Sequence, residues 1–249
     1  MTASFAMTQL IAAGGAAGLA FTYWALRSIG FATRTALVRL IALNTSVYMV
    51  FAMISWLAAG LALLDPDVPL GASVPWLVAV PLIFLAARWF TADVRVGRWT
   101  DPDGGRIRDA LAVGVGAAAW VRRAIGSDEG RPLFGWALVY WLGDLISLGA
   151  ALLAFRENPG PIALTVAYTT GYLAQSVPIP LIATGGVDAA TTFTLTMVGV
   201  PLEAALLGVV THRIFAFWLP IGPGLWSAVS LTRRARRGEG LIGSPAPSL

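Results

Sequence analysis

Long apolar runs that carry almost no charge constrain this chain more than any other feature of its sequence. A hydrocarbon core about 30 Å thick needs roughly 20 apolar helical residues to cross it. Segments of this kind lie at residues 7–26, 36–64, 74–90, 133–155, 161–181, 187–198 (a short one) and 204–230. We therefore predict an all-α fold, a polytopic membrane helical bundle that occupies residues 1–232.

Composition excludes several classes of protein and of site. Charged residues make up 12% of the 249 residues, about half the share in a soluble domain, and the high hydrophobic content excludes a disordered chain. Cysteine is absent and His212 is the single histidine, so disulfides, thiol nucleophiles and multi-histidine metal centres are excluded. We expect no catalytic residue, metal or cofactor. The net charge of +4 indicates cytoplasmic loops rather than a nucleic-acid partner.

The distribution of arginine predicts the orientation of the bundle. Loop 88–132 holds eight arginines, and Arg233, Arg234, Arg236 and Arg237 follow the last apolar segment. Because basic loops remain in the cytoplasm, we place residues 27–35, 91–132 and 233–249 there, and residues 65–73 and 156–160 outside. The C-terminus is thus cytoplasmic, in a basic and then disordered tail over 233–249.

Two segments fit this alternation less simply. Residues 187–198 are expected to form a re-entrant half-helix, so that the C-terminus stays in the cytoplasm. Residues 109–125 are apolar with Arg122 and Arg123 at their end. They form either an interfacial helix within the cytoplasmic loop 91–132 or an extra span, and the arginine alternation favours the interfacial helix.

A six-residue pattern that ends in Gly-Gly occurs twice. Residues 10–15 read LIAAGG and residues 181–186 read LIATGG, and the segments that follow end at Gly30-Phe31 and Gly199-Val200. The orientation gives the two copies opposite directions, the arrangement of the inverted repeats of many transporters. The alternatives are a chance match among common residues, or glycines that only allow close helix packing.

Gly-Gly in an apolar segment predicts a broken helix. Each glycine costs about 1 kcal/mol of helix stability relative to alanine, and the backbone groups freed by a break cannot face lipid. We expect breaks at Gly14-Gly15 and at Gly185-Gly186, with Pro178 and Pro180 ending the helix that enters the second break. The positive end of a half-helix dipole would then lie near mid-membrane, where it suits an anionic group.

Ionisable residues at membrane depth are the candidate site. They are Asp144, Asp188, Glu203, His212 and Arg213. A charge at the bilayer centre costs at least about 2.5–3.5 kcal/mol, so such groups tend to face the bundle and to pair. Arg213 with Asp144 or with Asp188 is the expected pair. Alternatively the pair is purely structural, Asp188 is a helix N-cap, and Glu203 only compensates a helix dipole.

The segment 176–225 resembles the C-terminal signature of the lysylphosphatidylglycerol synthase transmembrane family, the flippase-like module of the bacterial multiple peptide resistance factor and its stand-alone relatives. The matching residues are Pro178 and Pro180, Gly185-Gly186, Asp188, Gly199-Val200-Pro201, His212-Arg213 and Phe217-Trp218-Leu219-Pro220. Upstream, Trp141 to Asp144 and Ala154-Phe155 resemble the family's Trp…Asp…Ala-Phe helix. Residues 13–20 resemble its first Gly-Gly segment.

This resemblance implies a multi-pass protein of the bacterial plasma membrane that moves or binds phospholipid. Its site residues would be Gly14, Gly15, Asp144, Pro178, Pro180, Gly185, Gly186, Asp188, His212 and Arg213. Family members usually have helices before the first Gly-Gly segment, so we expect a truncated version, a homo-oligomer or a partner subunit. The aminoacyl-transferase domain of the bifunctional members is not seen, and Thr184 replaces the usual proline.

Three functions follow as hypotheses. The first is translocation of an anionic or aminoacylated phospholipid, with Arg213 receiving the lipid phosphate. The second is a non-transporting membrane subunit or lipid-binding scaffold. The third is an intramembrane aspartyl hydrolase in which Asp144 and Asp188 share a proton and activate water.

Overall fold

The computed structural model describes residues 16–66, 68–92, 105–128, 130–176 and 180–218, with residues 226, 229, 230 and 233. In these ranges the regular structure is helical throughout, as the apolar pattern predicts. The helices are α1 (Ala16–Ser28), α2 (Thr33–Ala62), α3 (Leu70–Phe90), α4 (Gly105–Ala124), α5 (Gly130–Ala154), α6 (Pro161–Tyr172), α7 (Pro180–Met197) and α8 (Leu202–Arg213). A 3₁₀ turn (Leu173–Ser176) follows α6, and a π-helical turn (Ile214–Trp218) continues α8.

Three of these helices, α2, α3 and α5, are long and apolar enough to cross a membrane. Their outward faces carry large apolar side chains that no other part of the described chain covers, among them Leu57, Ile83 and Ile146. Large apolar surfaces are rare on soluble monomers and mark contact with a partner or with a membrane. The exposed apolar surface therefore agrees with a bundle whose surroundings are hydrocarbon.

Helix α2 lies at the centre of the bundle, and an aromatic cluster surrounds Phe51 on its inner face. The rings of Trp76, Trp141, Tyr168 and Tyr172 lie 4.5–6.4 Å from the Phe51 ring, centroid to centroid. Buried indole N–H groups need an acceptor, and both find one. Trp141 donates to the carbonyl of Val47 at 2.9 Å, and Trp76 donates to Thr170 Oγ1 at 3.1 Å.

Helices α5 to α8 pack as antiparallel neighbours. Along α6 and α7, Ala167 contacts Thr194 while Gly171 contacts Thr191, so the sequence numbers run in opposite directions. Small residues allow these close contacts. A Cβ on Gly171 would lie 2.5 Å from Thr191 Cα, and a Cβ on Gly208 of α8 would lie 2.5 Å from a methyl of Leu152 on α5.

The expected break at the second Gly-Gly pair is wrong. Helix α7 begins at Pro180 and continues through Gly185 and Gly186 to Met197. Pro180 occupies the first helical position, where its missing N–H is not needed. Helix propensity is a weak constraint that tertiary packing overrides, and Val187 and Thr191 of α7 are buried in the bundle.

The lengths of α6 and α7 also differ from expectation. Residues 161–181 are not one span, because α6 ends at Tyr172 before the predicted proline stop. Residues 187–198 are not a half-helix, because α7 has 18 residues, about 27 Å of rise. An antiparallel α6–α7 pair returns the chain to the end of the bundle at which α5 finishes, so α8 starts there without a half-helix.

Helix α4 covers most of the predicted interfacial segment 109–125. It packs on α2, where Ala42, Ala117 and Val121 belong to one buried cluster and Arg39 lies over the Trp120 ring at 5.4 Å. It has 20 residues, but its composition does not place it among the candidate spans of the described chain. Its position at the membrane interface stays a prediction.

The two segments that follow the Gly-Gly pairs both end in the same type of turn. Gly30 after α1 and Gly199 after α7 both have positive φ, at 95° and 89°. In both turns the next residue donates its N–H five residues back, Phe31 to Leu26 and Val200 to Leu195. This hydrogen bond defines the Schellman motif, in which glycine takes the left-handed conformation without a Cβ penalty.

Candidate functional site

Three of the predicted ionisable residues lie at one level of the bundle. Asp144 is ten residues before the end of α5, Asp188 is nine residues before the end of α7, and His212 is ten residues after the start of α8. These helix ends lie at the same end of the bundle, because α5 to α8 are antiparallel. At 1.5 Å per residue each group is about 14–15 Å from that end, which is half the thickness of a hydrocarbon core.

Asp144 and His212 form the more buried acid–base pair. His212 Nε2 lies 3.6 Å from Asp144 Oδ1, and the side chains are only 11% and 19% exposed. Each has a second polar contact. The Tyr168 hydroxyl donates to Asp144 Oδ2, and His212 Nδ1 lies 3.2 Å from the Ser147 hydroxyl. Four polar groups from α5, α6 and α8 thus satisfy one another where water is scarce.

Arg213 and Asp188 form a second acid–base pair beside the first. Arg213 donates through Nε to Asp188 Oδ1 at 2.5 Å, and the two side chains are 28% and 34% exposed. The predicted pairing of Arg213 with one of the two aspartates is therefore confirmed for Asp188. Asp188 is not a helix N-cap, because it lies in the interior of α7.

Adjacent residues of α8 bring the two pairs together. His212 and Arg213 are consecutive, so their side chains leave the helix about 100° apart and reach α5 and α7 respectively. The helix then changes to π-helical geometry at Ile214. Single π-helical turns inside α-helices are rare and occur frequently at functional sites.

The structure brings some predicted site residues together and separates others. Asp144, Asp188, His212 and Arg213 meet at this site. Pro180, Gly185 and Gly186 are helical residues of α7 that lie up to two turns before Asp188. Gly14, Gly15 and Pro178 lie outside the described residues. Glu203 is an exposed residue in the first turn of α8 and agrees with a dipole-compensating role.

Tyr168 and Ser147 are site residues that sequence reasoning missed. Ser147 carries a usable signal, because it follows Asp144 by three residues and so shares its face of α5. Tyr168 carries none, because its contact with Asp144 joins two helices. Such a contact depends on how α5 and α6 pack.

The arrangement favours binding of charge over hydrolysis. Each aspartate has its own basic partner, Asp144 with His212 and Asp188 with Arg213, whereas a catalytic carboxylate dyad shares one proton. Among the described residues, no cluster of three or more His, Asp or Glu side chains could hold a metal ion. The partly exposed guanidinium of Arg213 has the donor geometry for a phosphate. Comparison with protein-family models, curated proteins and solved structures gives no match to this chain.

Proposed function

We propose that this chain is a multi-pass protein of the bacterial plasma membrane that binds an anionic phospholipid head group and moves it between leaflets. The observation that carries the proposal is the partly exposed Arg213–Asp188 pair at mid-bundle depth. Burying a charged pair at this depth costs free energy, and ionisable residues inside a membrane usually mark a functional site. A lipid phosphate can replace Asp188 as the partner of Arg213, and the guanidinium then compensates part of the cost of desolvating the head group.

The lipid tails need no protein cavity in this scheme. The outward faces of the helices carry large apolar side chains, including Phe193 on α7 and Leu207 on α8. These side chains are compatible with acyl chains that stay in the bilayer while only the head group enters the bundle. The described chain then has to compensate only the polar part of the substrate.

An inverted repeat is the architecture we propose for this function. The repeated six-residue pattern supports a relation between α1–α2 and α7–α8, and both units contain a Schellman turn, which also follows α5 at Arg156. The arginine pattern supports opposite directions for these two units, with a cytoplasmic C-terminus. Repeats of opposite direction that meet near the bilayer midplane are a common basis of alternating access.

Translocation is tested with the purified chain in vesicles of phosphatidylcholine and phosphatidylglycerol that contain NBD-labelled phosphatidylglycerol. Dithionite added outside bleaches only the outer leaflet, so continued bleaching measures arrival of inner-leaflet lipid. We expect the wild type to accelerate this phase. We expect R213Q to slow it about tenfold or more, since a charge-assisted hydrogen bond is worth about 1.5–3 kcal/mol.

The matched control is the surface pair Arg131–Asp128, whose side chains are 74% and 91% exposed. R131Q removes an arginine from an ion pair without touching the site, so it should translocate like the wild type. A wild-type rate equal to that of protein-free vesicles contradicts translocation. When the wild type translocates, equal rates for R213Q, D188N and R131Q contradict the assigned site, whereas the non-transporting scaffold is favoured only by a wild-type rate equal to that of protein-free vesicles.

A further inference from the structure

We propose that Asp144 and His212 form a proton-binding site, and that one proton is carried with each anionic head group. The inference rests on the proposed function, because it names the ion that drives that transport. It concerns different residues, however, and it has a readout that does not depend on transport.

The proton site uses other side chains than the head-group site of Arg213 and Asp188. Nε2 of His212 lies 3.6 Å from Asp144 Oδ1, close enough for a proton on the ring to be stabilised by the carboxylate. The second contacts, Tyr168 to Asp144 and Ser147 to His212, fix the carboxylate and the ring in place. A hydroxyl can donate or accept, so Ser147 satisfies Nδ1 both before and after the ring gains its proton.

The other ionisable groups around the pair leave the histidine as the group that changes charge near neutral pH. Tyrosine ordinarily loses its proton near pH 10 and arginine stays protonated, whereas histidine titrates between pH 5 and 8. Before a lipid binds, Asp188 forms an ion pair with Arg213. The neighbouring groups are Tyr140 from α5, Tyr168 and Tyr172 from α6, Asp188 from α7, Arg213 from α8 and Tyr48 from α2.

The charge balance explains why proton and lipid would move together. In the proposed cycle Asp144 stays ionised, so that a neutral imidazole leaves the Asp144–His212 pair with one negative charge, which repels a phosphate that approaches Arg213. When the imidazole takes a proton from the aqueous side, the pair becomes neutral and that repulsion disappears. A head group of charge −1 and one proton then cross as a neutral load, which avoids moving net charge through a low-dielectric region.

The proton site is tested first by NMR, because His212 is the single histidine of the chain. In full-length protein labelled with ¹⁵N-histidine, in nanodiscs, every imidazole signal belongs to this residue. We expect the ring to pass from neutral to protonated between pH 9 and 5. We expect D144N to weaken proton binding about tenfold or more, because the opposite charge is lost.

The control for this titration is E203Q, which neutralises an exposed acid on the same helix and should leave the midpoint unchanged. A ring that keeps one protonation state from pH 5 to 9 overturns the proposal. So does an equal effect of D144N and E203Q. The wild-type titration needs no substitution, so it stands even if D144N fails to fold.

Coupling is tested in the NBD-phosphatidylglycerol vesicles with a gradient of one pH unit. One proton per lipid predicts up to a tenfold accumulation of labelled lipid in the leaflet on the alkaline side, abolished by nigericin with potassium. H212Q should lose this response. A wild type that moves lipid to the same distribution with and without the gradient overturns the coupling and leaves the proposed function standing. A wild type that moves no lipid refutes the proposed function and with it the coupling, and NMR alone then decides whether the proton site exists.

Discussion

Arg213 donates through Nε to Asp188 Oδ1 at 2.5 Å and so joins α8 to α7 across 25 residues of sequence. The next residue toward the N-terminus, His212, contacts Asp144 of α5 instead. Two consecutive residues of one helix therefore hold two acidic residues of two other helices. The two acid–base pairs therefore connect α5 and α7 to neighbouring residues of α8.

The Arg213–Asp188 pair is expected to behave as a coupled unit in unfolding experiments. D188N and R213Q should each lower the free energy of unfolding by about 1–3 kcal/mol, because each removes a charge-assisted hydrogen bond between α7 and α8. The double variant should lose less than the sum of the two, by at least about 0.5 kcal/mol. Reversible unfolding in mixed detergent gives the free energy of unfolding of the wild type, the two single variants and the double variant. Strict additivity would show that the contact contributes nothing.

Gly171 is expected to tolerate no side chain. In G171A the new Cβ would meet the α7 backbone at Thr191, 2.5 Å from its Cα, and overpacking of this kind costs about 1–3 kcal/mol. Gly135 on α5 is the matched control, because a Cβ there meets nothing within 4 Å. G135A should be neutral or slightly stabilising. Thermal unfolding compares the two variants, and equal midpoints would contradict the close approach of α6 and α7.

Gly185 tests the continuity of α7. A Cβ at this position meets nothing within 4 Å, and alanine is favoured over glycine in a helix by up to about 1 kcal/mol. G185A should therefore match or exceed the wild type in thermal stability. A loss above about 1 kcal/mol would mean that Gly185 needs a non-helical conformation, as a broken helix requires.

The orientation is open to a labelling test, because the chain contains no cysteine. Single-cysteine variants S28C and D128C should react with a membrane-impermeant maleimide only from the cytoplasmic side. P66C and N158C should react only from outside, since the loops alternate between sides. Wild-type protein gives the background. Labelling of all four variants from one side would refute the arginine-based topology.

Much of the fold follows from the apolar pattern. Helices α2, α3 and α5 match the predicted segments 36–64, 74–90 and 133–155 within a few residues, because length and hydropathy suffice to identify a helix that can span a bilayer. The pairing of Arg213 with an aspartate was also predictable, since buried charges need partners. Which aspartate it contacts was not, because both candidates lie at the same depth.

The second Gly-Gly pair shows where local reasoning fails. Two glycines cost α7 about 2 kcal/mol of helix propensity, which suggested a break. The packing of α7 against α6 and α8 outweighs that cost, and α7 runs from Pro180 through both glycines to Met197. Propensity is a sum over single residues, whereas the stability of a buried helix depends on the surface it covers.

The sequence by itself determined that this chain forms apolar helices, and which of their residues carry charge at membrane depth. Both properties depend on the free energy of transferring individual side chains from water to hydrocarbon. That free energy is a property of each residue type. Only the tertiary structure decided that Tyr168 and His212 share Asp144 while Arg213 contacts Asp188. These contacts depend on the register and rotation of four packed helices, which are set by shape complementarity across the interfaces.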